Sequence, residues 1–143
     1  MKLRDVLAAK GNQVYTVRPH QTVKEALALL MHHRVGALVV VDDQGRVAGI
    51  LSERDVLREC HAHAERLAQI VVQDAMTADL IIAVQDDELA YAMSIMTTNR
   101  IRHLPVMDGQ RVAGLVSIGD VVKASLEETQ YENRYLREYI QAR

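Results

Sequence analysis

The stretch Gly114-Leu115-Val116-Ser117-Ile118-Gly119-Asp120-Val121-Val122 has a near-duplicate earlier in the chain, Gly49-Ile50-Leu51-Ser52-Glu53-Arg54-Asp55-Val56-Leu57. Each reads as a short apolar strand that turns at a serine into a helix. The serine can cap that helix, and the aspartate three residues on falls in its first turn, where the helix dipole favours negative charge. The same turn also gathers orphan N–H groups, a hydroxyl and a carboxylate, which together suit a phosphate and a sugar diol. One Ser-x-x-Asp means only a cap; two inside a longer matching frame point to an internal duplication.

The frame extends outward from the motif. Shifted by 66 residues, Val23, Ala26, Leu27 and Leu30 fall on Leu89, Ala92, Met93 and Met96, both sets at the spacing of a helix's buried face. Arg34-Val35 falls on Arg100-Ile101, and Ala37-Leu38-Val39-Val40-Val41 on His103-Leu104-Pro105-Val106-Met107. One residue is lost where Asp42-Asp43-Gln44-Gly45 becomes Asp108-Gly109-Gln110, after which Arg46-Val47-Ala48-Gly49 pairs with Arg111-Val112-Ala113-Gly114. Each half therefore predicts an extended lead-in, helix, strand, tight turn, strand and helix. Thr22 is expected to cap the first helix with Glu25 as its capping-box partner, and Asp86 or Asp87 to start the corresponding helix of the second half.

Residues 61–73 read as a polar, alanine-rich connector, helix or linker. The division expected is 1–66, 67–128 and a helical tail at 129–143. In that tail Tyr131, Tyr135 and Tyr139 recur every four residues beside Leu136 and Ile140, which predicts a helix with one aromatic and apolar stripe. It either docks on its own module or forms a dimer contact, for which tyrosine is suited.

Composition narrows the class. The chain has 143 residues, 49% hydrophobic and 25% charged, with a formal net charge of -2. These values fit a folded globular protein and disfavour a phosphate-neutralising nucleic-acid surface. Neither a signal-peptide core nor a run of about 20 apolar residues is found, and the single cysteine, Cys60, has no internal disulfide partner, so a cytoplasmic protein without a membrane role is expected. Halves of about 60 residues bury too little surface to be comfortable alone, so they are expected to pack as one two-part module.

These repeated features resemble a tandem pair of cystathionine-β-synthase (CBS) domains, a Bateman module. The resemblance rests on two copies of apolar-Gly-apolar-x-Ser-x-x-Asp, each after an Arg-Val or Arg-Ile step and an apolar hairpin. It is reinforced by Asn99-Arg100-Ile101-Arg102-His103-Leu104-Pro105-Val106 and Val35-Gly36-Ala37-Leu38. The implied fold is α/β (α+β): two pseudo-symmetric repeats, each a small, mostly antiparallel sheet with two helices, plus a C-terminal helix. The implied function is regulatory binding of AMP or a related adenine nucleotide (ADP, ATP, NAD(H) or S-adenosylmethionine) in two clefts, without catalysis or a required metal, in a homodimer that signals to an unnamed protein.

The resemblance also implies a site map. Asp120 would bind the ribose with Ser117, Ile118 and Gly119 beside it, Arg102 and His103 would hold phosphate, and Val14, Tyr15, Thr16, Val35, Gly36 and Ala37 would face the base. A second cleft would use Asp55, Ser52 and Arg54, with Leu80, Ile81 and Ile101 opposite. Comparison of the copies adds an asymmetry: where the second half has Arg102 and His103, the first has Gly36 and Ala37, so the Asp120 site is expected to bind phosphate-bearing ligands more tightly.

Two other readings compete. One is a dimerisation scaffold with vestigial clefts. The other is a metal site at Cys60, His61 and His63, which lacks an evident fourth ligand and whose neighbours do not share a helix face. No Gly-x-Ser-x-Gly elbow, P-loop or paired-carboxylate arrangement supports an enzyme. His32 and His33 are accounted for by the end of a helix.

Overall fold

The computed structural model describes residues 1–141. Its elements run α1 (Leu3–Lys10), β1 (Thr16–Val17), α2 (Val23–His33), β2 (Ala37–Val41), β3 (Val47–Ser52), α3 (Glu53–His63), α4 (Val72–Ala75), β4 (Ala83–Val84), α5 (Leu89–Asn99), β5 (His103–Asp108), β6 (Arg111–Ser117) and α6 (Ile118–Gln141). The strands form two three-stranded sheets, ordered β1-β2-β3 and β4-β5-β6. In the first, β1 is parallel to β2 and β2 antiparallel to β3, with Val39 opposite Ile50; in the second, β4 is parallel to β5. The duplication and the α+β class read from the sequence are both present.

The chain divides into two compact units that differ from a simple cut at the midpoint. One comprises residues 13–81 with 109–112, and the other residues 1–12, 82–108 and 113–143. The helix that precedes the first repeat is therefore grouped with the strands of the second, and the short helix that precedes the second repeat with the strands of the first.

In the unit built on β1-β2-β3, Val17, Val23, Ala26, Leu30, Leu38, Leu51, Val56, Val72 and Ala75 close one core. Strand β2, buried from Ala37 through Val40, is apolar along its whole length because it is the central strand. The unit built on β4-β5-β6 repeats this with Leu3, Val6, Leu7, Leu89, Ala92, Met96, Leu104, Val106, Val116 and Val121 buried. Leu27 and Met93, expected on the helices' buried faces, are only half-buried.

The lead-in helices are a second layer of repetition. At a shift of 69, Leu3, Val6 and Leu7 match Val72, Ala75 and Met76. The backbone stitches are equivalent too: Lys2 bridges to Glu88 before α5, and Val71 bridges to Thr22 before α2. Within their units, Leu7 lies on Gly114 of β6, and Met76 and Thr77 lie on Gly49 of β3. A Cβ on Gly114 would stand 2.6 Å from Leu7 Cδ2, and one on Gly49 would stand 2.7 Å from both Met76 Sδ and the Thr77 carbonyl oxygen. The motif glycine of each repeat is thus the place where a lead-in segment closes down on a strand.

Several expected local features differ. Thr22 Oγ1 does accept from the Glu25 N–H at 3.1 Å, but the Glu25 carboxylate accepts from Gln21 Nε2, so the reciprocal half of that capping box is not made. Neither Asp86 nor Asp87 caps α5, which starts after Glu88. Asp87 instead accepts from the Val84 N–H at 2.9 Å within the β4–α5 turn, while Asp86 pairs with Arg4. The connector carries α3 to His63, a 3₁₀ turn at Ala64–Arg66, and α4. The tyrosine tail is a direct continuation of α6, which runs unbroken for 24 residues; residues 142–143 of the expected tail lie outside the described residues.

Candidate functional site

Strand β6 ends at Ser117 and α6 begins at Ile118 without a linker. The Asp120 N–H donates to Ser117 Oγ at 3.1 Å, and the Ser117 N–H returns a bond to Asp120 Oδ2 at 2.8 Å. At the other copy, the Asp55 N–H meets Ser52 Oγ at 3.4 Å, and the Ser52 N–H meets Asp55 Oδ2 at 2.9 Å. Both Ser-x-x-Asp motifs are therefore reciprocal capping boxes, each satisfying donors that a helix start leaves orphaned.

The loop before each central strand is pinned to the same spot. The Ile118 N–H donates to the Arg102 carbonyl at 2.8 Å, and the Glu53 N–H to the Gly36 carbonyl at 3.0 Å. The backbone at Arg102 is thereby held at the start of α6, with His103 next in sequence; Gly36 holds the equivalent place at the start of α3, with Ala37 next. Gly119 is exposed, and a Cβ there would meet nothing closer than Ser117 Oγ at 3.6 Å, so its Arg54 counterpart, also exposed, is accommodated without strain.

Beyond the capping boxes the two acids diverge. Asp55 is the only charged residue in the buried set among the described residues, at 3% exposure. Its Oδ2 accepts from the Ser52 N–H and hydroxyl, and its Oδ1 from Arg58 at 3.1 Å and Thr77 Oγ1 at 3.4 Å. Both oxygens are committed. Asp120 retains 25% side-chain exposure, and its Oδ2 carries both the Ser117 N–H and the Lys10 ammonium, the latter at 2.5 Å. Lys10 Nζ also donates to the Leu115 carbonyl at 2.7 Å. Among the described residues Asp120 Oδ1 accepts no hydrogen bond. Partial burial pushes the Asp120 carboxyl up, but hydrogen bonds from Lys10 and Ser117 outweigh it and hold it below its ordinary value, so it is an anion at neutral pH.

The remaining predicted residues lie on the lead-ins and strand starts. Val14 and Tyr15 are half-buried and Thr16 is exposed; Tyr15 stacks on His33 with ring centroids 3.7 Å apart and planes 12° apart, which covers one face of the phenol ring. His33 thus has a packing partner as well as its place in the last turn of α2. Arg34 and Arg100 end α2 and α5 in the left-handed region, at φ 56° and 54°, and the following Val35 and Ile101 N–H groups reach back to Leu30 and Met96. Leu80 and Ile81 are half-buried ahead of β4. Cys60, His61 and His63 lie along α3, and among the described residues no three histidine, cysteine or acidic side chains are grouped to hold a metal.

Lys10, Thr77 and Arg58, which touch the two acids, were not singled out by the sequence. Arg58 follows Asp55 by three residues, one helical turn. The signal for the other two was the Leu3-x-x-Val6-Leu7 spacing and its echo at Val72-x-x-Ala75-Met76, which marks short helices reaching the motif strands.

Repeated units of this architecture, each closed by a Ser-x-x-Asp capping box, define a tandem CBS-domain protein. The CBS domain family model matches residues 3–62 and 72–127, and the chain belongs to that family. It is 38% identical over 147 residues to CBS domain-containing protein CBSX3, mitochondrial, of Arabidopsis thaliana, spanning 97% of this chain and 71% of that protein. Among solved structures it is similar to the CBS-domain containing protein ATU1752 from Agrobacterium tumefaciens, with 39% identity and a TM-score of 0.83 over 87% of this chain and 99% of that one. It is also similar to CBSX2 solved in complex with AMP, with 27% identity and a TM-score of 0.74 over 90% of this chain and 98% of that one. Among the described residues no helix is long and apolar enough to cross a membrane.

Proposed function

We propose that this protein is a non-catalytic regulatory module that binds AMP or a closely related adenine nucleotide, with Asp120 as the principal ribose-binding acid. The observation that carries this reading is the difference between the two motif carboxylates. Asp120 is ionised and partly exposed, with its bonds from Lys10 and the Ser117 N–H both on Oδ2 and none accepted by Oδ1 among the described residues, whereas both oxygens of the buried Asp55 are taken. A diol donates two hydroxyl hydrogens and needs a carboxylate that can still accept them. Arg102 and His103, held at the start of α6 by the Arg102 carbonyl, serve the phosphate end. The relative solved with AMP supports the ligand class. The Asp55 site, with Ser52 and Arg54, is the weaker of the two.

The exposed stripe of α6, with Tyr131, Tyr135, Leu136 and Ile140 between 54% and 73% exposed, is read as the self-association face of a homodimer. The cytoplasm is the compartment inferred, and a protein target receives the signal through differential ligand affinity for alternative states.

Calorimetric titration of AMP and 2′-deoxy-AMP tests the ligand assignment. Asp120→Ala is expected to weaken AMP binding at least about tenfold, the loss of one or two charge-assisted hydrogen bonds, and Asp55→Asn to weaken it less. The deoxy nucleotide should bind wild type correspondingly more weakly. A saturating ligand at about 100 times its dissociation constant stabilises a fold by about 2.7 kcal/mol. If no adenylate raises the melting temperature, the clefts are vestigial and the protein is a scaffold.

A further inference from the structure

We propose that Lys10 is a specificity-determining residue of the Asp120 site, selecting ligands that carry a phosphate over neutral adenosine. The inference rests on the nucleotide reading above and deepens it. It begins with how firmly Lys10 is placed. Helix α1 buries Leu3, Val6 and Leu7, and its first turn is tied to its unit by bonds from the Leu3 N–H to the Asp87 carbonyl and from the Arg4 N–H to the Gln85 carbonyl, each 3.0 Å. Leu7 seats on Gly114, and Lys10, three residues and nearly one turn later, lands between the Leu115 carbonyl and Asp120. Lys10 itself is exposed, but the helix that carries it is packed, and its ammonium is held by two oxygens.

The second observation is that this cation belongs to one repeat only. In the alignment that sets Leu7 on Met76, the counterpart of Lys10 is Asp79, an exposed acid. The lead-in contact to Asp55 comes instead from Thr77, a neutral hydroxyl. The chain has kept two sugar-type acids but supplied a lead-in ammonium to a single one.

Its consequence is electrostatic. A bare carboxylate at the sugar repels any ligand that also carries a phosphate, and within a partly desolvated site that repulsion is felt over several ångströms. The Lys10 ammonium cancels it. When a diol takes up Asp120, Lys10 keeps its bond to the Leu115 carbonyl and has two further N–H donors, so it stays beside the sugar as a point charge for a phosphate oxygen.

The test compares AMP with adenosine by calorimetry on wild type, Lys10→Met, Lys10→Arg and Asp120→Ala, each confirmed folded by a cooperative melt. Wild type is expected to prefer AMP. Lys10→Met should cut that preference by about tenfold or more through loss of AMP affinity, leaving adenosine within about threefold, and Lys10→Arg should keep most of it. An unchanged preference in Lys10→Met overturns the inference, as does tighter AMP binding, which would make Lys10 a competitor for Asp120. If Asp120→Ala weakens both ligands while Lys10→Met keeps the preference, only the role of Lys10 falls. If wild type binds neither ligand, the nucleotide reading falls and takes this inference with it.

Discussion

Asp55 and Asp120 occupy the same place in a repeated motif and do the same capping work, yet among the described residues only Asp120 keeps a carboxylate oxygen that accepts no hydrogen bond. The difference arises from side chains that arrive from elsewhere: Thr77 and Arg58 close over Asp55, whereas Lys10 meets Asp120 from one side. A pH dependence follows for Asp120. Its carboxyl is held below the ordinary value, so the stability it contributes is fully present above the unfolded-state value near 4 and is lost as pH falls through the lower folded-state value. Wild type is therefore expected to exceed Asp120→Asn in stability at pH 7, by up to about 1 kcal/mol for so exposed a pair. The gap should close as pH falls from about 5 through the lowered folded-state value, where the wild-type carboxylate takes up its proton. Urea midpoints across that range measure it; a gap that does not vary with pH would remove Lys10 and Ser117 as the cause. The motif serines and aspartates were legible in the sequence because a capping box needs only four consecutive residues. Their unequal engagement was not, since it depends on residues 22 and 110 positions away.

At the scale of elements, the repeated glycines set how closely each lead-in segment approaches its strand. Gly49→Ala places a methyl against the Thr77 carbonyl, which is fixed by its exchange of hydrogen bonds with Ile50, 2.9 and 3.0 Å long. For Gly114→Ala the three nearest atoms all belong to the side chain of Leu7, which has rotamers to change. Both substitutions should destabilise within the roughly 1 to 3 kcal/mol range of overpacking, Gly49→Ala the more so. Denaturant melts of the two variants decide the order, and the reverse order would mean that the Thr77 segment yields more easily than Leu7. Periodicity revealed α2, α5 and the hairpins because each spans several turns or paired strands. The eight-residue α1 and four-residue α4 each carry too few apolar positions to establish a period alone, so only the echo of one spacing in the other marks them. Start signals were legible only where nothing competed: Asp86 and Asp87 read as helix starters, but Arg4 claims one and the β4–α5 turn the other.

For the whole molecule, duplication in sequence and division in space are not the same partition. Residues 1–12 belong to the unit that contains 82–108 and 113–143, whereas residues 13–81 supply nearly all of the other. Removing residues 1–12 takes Leu3, Val6 and Leu7 from one unit alone. At about 1.5 to 3 kcal/mol for each buried side chain, the loss is on the order of 5 kcal/mol, comparable to the stability of a small domain. Hydrogen exchange on the shortened chain should therefore show protection lost across β5, β6 and the start of α6 and largely kept in β2 and β3. Uniform loss would show that the units unfold as one.

The threading of the chain through its units also orders events on the ribosome. Residues 13–81 emerge as a nearly continuous block and can begin to condense while synthesis proceeds, but helix α1 has no strands of its own unit to rest on until β4, β5 and β6 have been made. Its leucines find their partner about a hundred positions downstream, so a segment made ahead of both sets of strands is among the last to find its seat.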